Sequence, residues 1–155
     1  MTQTTTTRRK QHTVTPYLCC KDASRALDFY KNVFDAVEVM RWTDTSGKIG
    51  HAEITLGDSM IMLADEHPEI GVLSPQSLGG SPVTLHIYVD NVDAVAAKAV
   101  DAGARLVRPV QDQDYGDRNC KLTDPFGHVW MVSTHKEDVS REEMQKRAAG
   151  SYEIS

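Results

Sequence analysis

The sequence predicts an α+β fold built from two βαβββ modules in tandem. Three observations carry the prediction. Eight short apolar segments read as strands, and two longer segments carry apolar residues at helical spacing. Their order, strand-helix-strand-strand-strand, occurs twice. The two halves also align at a constant separation of 69 residues: Thr15 with Thr84, Asp22 with Asn91, Met62 with Met131. That period is too long for a solenoid unit, so it reads as a duplicated module. In each module one face of the sheet is covered by the helix, and the other must meet something else.

Each element has its own signal. Residues 13–20 are apolar and mixed, a strand. Asp22 is a helix cap, and Ala23, Ala26, Leu27, Tyr30 and Phe34 follow at helical spacing. Residues 37–42 form a second strand, and the polar stretch 43–48 with Gly47 a hairpin turn. Residues 51–56 alternate: Ala52, Ile54 and Leu56 share one face, His51, Glu53 and Thr55 the other. Gly57-Asp58 is a tight turn before a strand at 59–64. Residues 65–81 hold three glycines and two prolines and read as a long functional loop. The second module follows: a strand at 82–89, a helix capped by Asn91 and ended by Gly103, and strands at 105–110, 119–123 and 129–134. The modules run over about 13–65 and 82–135 of a domain spanning 13–136. Residues 1–12 read as a disordered tail. Residues 137–155 read as a C-terminal tail with a short surface helix at 141–149, begun by the Ser140/Glu143 capping box.

The 155 residues suit one domain with one core. A formal net charge of -5 disfavours a partner gripped through phosphates, and Arg8-Arg9-Lys10 is too short a cluster to reverse this. No apolar run reaches the length of a membrane span, and the Thr-rich start is no secretory signal. Cys19, Cys20 and Cys120 are an odd set with an adjacent pair, which is not a disulfide framework; reduced thiols and a cytoplasmic location are expected.

The segments 22–34 (Asp-Ala-Ser-Arg-Ala-Leu-Asp-Phe-Tyr-Lys-Asn-Val-Phe), 89–93 (Val-Asp-Asn-Val-Asp), 102–104 (Ala-Gly-Ala) and 124–128 (Asp-Pro-Phe-Gly-His) occur in this order. Together they resemble the vicinal oxygen chelate superfamily, the glyoxalase/bleomycin-resistance/dioxygenase fold, over residues 13–135, and in particular its single-domain glyoxalase-like branch. The resemblance implies that the modules form a cup-shaped mixed β-sheet, often completed across a homodimer. It also implies four metal-ligand positions, one on the first and one on the fourth strand of each module, filled in the metal enzymes mostly by His, Glu or Gln. Carried onto this chain, those positions are Thr15, Met62, Thr84 and Met131. Threonine and thioether are poor ligands for hard or borderline divalent metals, so no metal and no other cofactor is expected. A shift of the alignment to His86, two residues beyond Thr84, still leaves both methionines.

If those four positions face the cup, period-two alternation brings Tyr17, Cys19, Met60, His86, Tyr88, Val129 and Ser133 with them. On the third strand His51, Glu53 and Thr55 face inward. Met60, Met62 and Met131 then form an adaptable floor, with Thr15, Tyr17, Thr84, Tyr88, His51, Glu53 and His86 as directional partners. Tyr115 and Arg118, on the connection 112–118, are candidates to close over a ligand, as is the loop 65–81. Glu53 and His86 are the acid-base candidates. Each has a plainer reading: core filler for the methionines, a hydrogen-bonded interior histidine for His86, a surface ion pair for His51 with Glu53 or for Arg118. Trp130 and His128 point away from the cup and read as structural. Cys19, in an apolar strand, is not placed as a nucleophile.

Three functions stay open at this point. One is a small-molecule-binding protein of the bleomycin-resistance kind, which holds a partly apolar ligand in a dimer-interface cup without the family metal. The second is a glyoxalase-like lyase, isomerase or dioxygenase that uses a relocated metal on His51, Glu53 and His86, or an acid-base pair. The third is a homologue with no ligand.

Overall fold

The computed structural model describes residues 11–155, so residues 1–10 of the expected N-terminal tail lie outside the described residues. The elements run β1 (Tyr17–Cys20), α1 (Ala23–Phe34), β2 (Val37–Thr43), β3 (Ile49–Leu56), β4 (Ser59–Asp65), a 3-10 turn (Pro68–Ile70), α2 (Pro75–Leu78), β5 (Thr84–Tyr88), α3 (Val92–Asp101), β6 (Arg105–Asp112), β7 (Asp117–Thr123), β8 (Val129–His135) and α4 (Arg141–Arg147). They form two four-stranded sheets, ordered β1-β4-β3-β2 and β5-β8-β7-β6. In each, the first strand pairs parallel with the fourth and the rest are antiparallel. This is the tandem α+β fold that the repeat predicts.

The helices begin where capping side chains sit: Asp22 accepts from the Arg25 N–H, and Asn91 from the Ala94 N–H. The Ser140 hydroxyl likewise caps α4 at Glu143 N, and α4 buries none of its residues. Helix α1 buries Ala23, Ala26, Leu27, Tyr30 and Phe34, together with Phe29 and Val33.

The modules meet through their helix-covered faces. The Phe34 and Trp130 rings lie 4.6 Å apart, and Tyr30 stands 5.4 Å from Trp130. The buried Asp124 carboxylate accepts from Tyr30 Oη at 2.5 Å, from Trp130 Nε1 at 2.9 Å and from the N–H groups of Phe126 and His128. Four donors compensate the burial of one charge, and in doing so they join α1 to the turn before β8. His128 adds a bond to the Cys19 carbonyl at 2.9 Å, so Trp130 and His128 are structural. The uncovered face of each sheet looks outward, and no ladder joins the two sheets.

One expectation changes, the extent of the first strand in each module. The strand expected at 13–20 begins only at Tyr17, and that expected at 82–89 spans Thr84–Tyr88. Pro16 and Pro82 lack the N–H a ladder needs, so Thr15 lies ahead of β1 instead of within it. The loop 65–81 is ordered: Glu66 accepts from Ser74 N and Ser77 Oγ, and Pro75 packs on Gly127. The tail 137–155 is docked, with Arg147 bridging Glu137 and the Asp114 carbonyl.

Candidate functional site

On the outward face of module 1 the strand register sets Tyr17, Met62, Glu53 and Met40 in one row across the sheet. Trp42 stands opposite His51 in the next row, their rings 6.0 Å apart. Tyr17 Oη lies 2.7 Å from His51 Nδ1, and His51 Nε2 lies 3.2 Å from Glu53 Oε1. With the proton on Nε2, His51 donates to Glu53 and accepts the phenol O–H, so the three form a continuous relay. Partial burial, then the nearby Cys19 and Glu53, hold the Tyr17 phenol above its ordinary pKa and hence protonated at neutral pH. Tyr17 is 54% exposed and Trp42 68% exposed, so large rings cover a half-buried polar chain.

On the outward face of module 2 the row is His86, Met131, Lys121 and Arg108. His86 Nε2 lies 2.7 Å from Ser133 Oγ, and its ring stacks on Tyr88 at 4.7 Å. Tyr88 donates to Asp117 at 3.0 Å, and Asp117 also meets His135 Nδ1 at 2.9 Å. The hydrogen bond to Asp117 raises the Tyr88 pKa, because only the protonated phenol can donate it; burial and the nearby carboxylate charge add to the effect. Asn119 links the Arg108 guanidinium, at 2.7 Å, to Tyr115 Oη, at 2.9 Å.

The expected residues are distributed as follows. Met60, Met62, His51 and Glu53 share the module 1 face with Tyr17. Thr84, His86, Tyr88 and Met131 share the module 2 face, where Tyr115 stands beside Asn119. Arg118 does not join them. It lies on the helix side, held by Asp93 of α3 at 2.8 Å and by Asp112 at 3.2 Å, because β7 alternates and Asn119 takes the outward position. Thr15 precedes the sheet. The residues facing Met62 and Met131 across the parallel ladders are Tyr17 and His86. The metal positions that the resemblance implies, Thr15, Met62, Thr84 and Met131, offer two hydroxyls and two thioethers, to which the adjacent Tyr17 and His86 would add a phenol and an imidazole. That donor set does not fit a hard divalent metal. Among the described residues no group of three His, Cys, Asp or Glu is arranged to hold a metal ion, so His51, Glu53 and His86 are not gathered within one chain. Burial, then Glu66 and Asp65, raise the Cys19 thiol pKa, so it is not activated as a nucleophile.

Sequence reasoning missed Trp42, Met40, Arg108, Lys121 and Asn119. For Met40, Trp42 and Arg108, register shifts at Glu38/Met40 in β2 and on both sides of Arg108 in β6 break the alternation from which faces are assigned; Asn119 and Lys121 lie on an unbroken ladder, and only their polar type hid them.

Two hollows flank these faces. One of about 500 Å³ opens between the β3–β4 hairpin and the β5 edge, and is lined by Met60, His86 and Tyr88 among others. The other, about 470 Å³, lies between Tyr17, Lys48 and residues 66–72. The loop expected as a lid thus walls a hollow beside Tyr17 and then docks on the module 2 turn, where Gln76 Nε2 donates to the Pro125 carbonyl at 3.3 Å.

Comparison with known proteins agrees with this architecture. The sequence profile of the glyoxalase/bleomycin resistance protein/dioxygenase superfamily matches residues 10–132. The uncharacterized protein Mb0911c of Mycobacterium bovis is 40% identical over 135 residues, covering 85% of this chain and 89% of its own. The crystal structure of TioX from Micromonospora sp. ML1 superposes with a TM-score of 0.63 at 25% identity, over 81% of this chain and 99% of that one. The X-ray structure of the Arabidopsis thaliana At5g48480 product superposes with a TM-score of 0.62 at 28% identity, over 80% of this chain and 99% of that one. This chain belongs to the glyoxalase/bleomycin resistance protein/dioxygenase superfamily.

Proposed function

We propose that the protein binds a small, partly apolar molecule in a cup made by module 1 of one copy and module 2 of a second, as a homodimer without the family metal. It acts by sequestering that molecule in the cytoplasm. One observation carries the reading. Each sheet turns outward a face with large exposed side chains, Trp42 and Tyr17 on one and Tyr88 on the other, over hydrogen-bonded polar groups. A face of that make-up is suited to be covered, and two such faces set opposite each other would enclose a mixed pocket. A two-fold pair is the commonest assembly that does this. The three unbridged cysteines suit a reducing compartment.

The Tyr17–His51–Glu53 relay favours one second reading, a glyoxalase-like lyase or isomerase working by acid-base chemistry. In it Glu53 would orient His51, and His51 would take or return a proton through Tyr17.

The test is a thermal-shift screen followed by calorimetric titration of the best ligand. His86→Ala should keep the fold and weaken binding by about 1–3 kcal/mol, the cost of a lost partner at a buried polar group. Equal affinities would remove His86 from the site. Turnover of the bound compound that disappears in Glu53→Gln while binding persists would favour the enzyme over sequestration.

A further inference from the structure

Module 2 carries a charge that the reading above leaves unexplained. Arg108 and Lys121 stand opposite one another on β6 and β7, on the outward face. The guanidinium reaches across toward β8, its Nη2 donating to Asn119 Oδ1 at 2.7 Å and to Met131 Sδ at 3.7 Å. An arginine has five N–H donors, and these contacts use only those on one nitrogen. Nε is shut away from solvent with no acceptor. Arg108 and Arg118 are the two described arginines that are not exposed. Arg118 has Asp93 and Asp112 as counter-charges, whereas among the described residues no carboxylate pairs with Arg108 or with Lys121. Carboxylates are not scarce: the chain has 22 Asp and Glu against 17 Lys and Arg. A half-buried guanidinium without a counter-charge is unfavourable in the isolated protein, and its planar fork matches an oxyanion that arrives with a ligand.

Resting on the binding reading, we infer that Arg108, with Lys121 beside it, anchors an oxyanion, and that the cup takes an organic anion. The acidic group sits at Arg108. The apolar or aromatic body lies over Met131 and the stacked His86–Tyr88 pair.

Two probes that share one aromatic body test this: 1-anilinonaphthalene-8-sulfonate and the uncharged N-phenyl-1-naphthylamine, titrated into the full chain by fluorescence. The sulfonate should bind about tenfold more tightly at low salt, as expected for charge-assisted bonds, and the margin should shrink as salt is added. Arg108→Met should abolish the preference and leave the neutral amine's affinity unchanged, with the circular dichroism spectrum retained. Should that variant not fold, Arg108→Lys and Lys121→Met carry the test, each narrowing the preference. Equal binding of both probes by the wild type, or a preference that survives these substitutions, overturns the anion assignment and leaves the cup standing. Binding of neither probe removes the cup, and the binding reading with it.

Discussion

His135 sits between two carboxylates, with Nδ1 2.9 Å from Asp117 and Nε2 2.8 Å from Asp138. Asp117, and after it Asp138, raise its pKa above the ordinary 6.5. The folded state thus binds the proton more tightly than the unfolded chain does. The stability this contributes is fully present below pH 6.5 and is lost as pH rises through the raised value. NMR titration of the His135 ring should give a midpoint above 6.5 that falls in Asp117→Asn; an unchanged midpoint would contradict the assignment. Because Asp117 also holds Tyr88, the same substitution should broaden the Tyr88 ring signals. None of this was legible in the sequence, where His135 reads only as the residue after a strand. Glu53, His51 and His86 were legible because they lie on strands whose alternation is unbroken. Arg108 and Trp42 were hidden by local bulges, which exchange the two faces of a strand without leaving a residue-type signature.

Among the elements, the long helices were the easiest to read, since caps and spacing agree with one another at Asp22 and Asn91. The first strand of each module was over-extended because Pro16 and Pro82 lie within runs that are otherwise plausible strands. The C-terminal tail reads from its composition as solvated, yet it is anchored through one glycine. The Gly116 carbonyl accepts from the N–H groups of Lys136 and Glu137. Gly116 has φ +99°, and a Cβ there would lie 2.1 Å from the Glu137 carbonyl oxygen. Gly116→Ala should therefore cost about 1–3 kcal/mol through backbone strain and release residues 136–155. Limited proteolysis should then cut within this segment in the variant and not in the wild type. Equal protection in both would show that the tail is held elsewhere, for instance by Arg147 alone.

At the scale of the molecule the duplication was visible in the 69-residue offset, which also pairs the implied metal positions Thr15 with Thr84 and Met62 with Met131. The strand register sets Tyr17 and His86 opposite Met62 and Met131, and the donors gathered there are unsuited to a hard metal. The manner in which the modules pack was not legible, because Tyr30, Phe34, Asp124 and Trp130 read as core residues of their own modules. Their mutual contacts bring the two helix-covered faces together and turn the polar faces apart. On the proposed reading, a cup is then made by two copies, each giving one face.

Mixing two damaged chains tests that claim most directly. One chain carries Tyr17→Ala with Glu53→Gln on module 1, the other Arg108→Met with His86→Ala on module 2, and binding of the aromatic sulfonate probe is measured for each alone and for an equal, re-equilibrated mixture. Neither homodimer has an intact cup, whereas every mixed dimer has one, so the mixture should recover about a quarter of the wild-type sites at wild-type affinity on random pairing of a two-fold dimer. A mixture that binds no better than its separate components would contradict a cup shared between two copies.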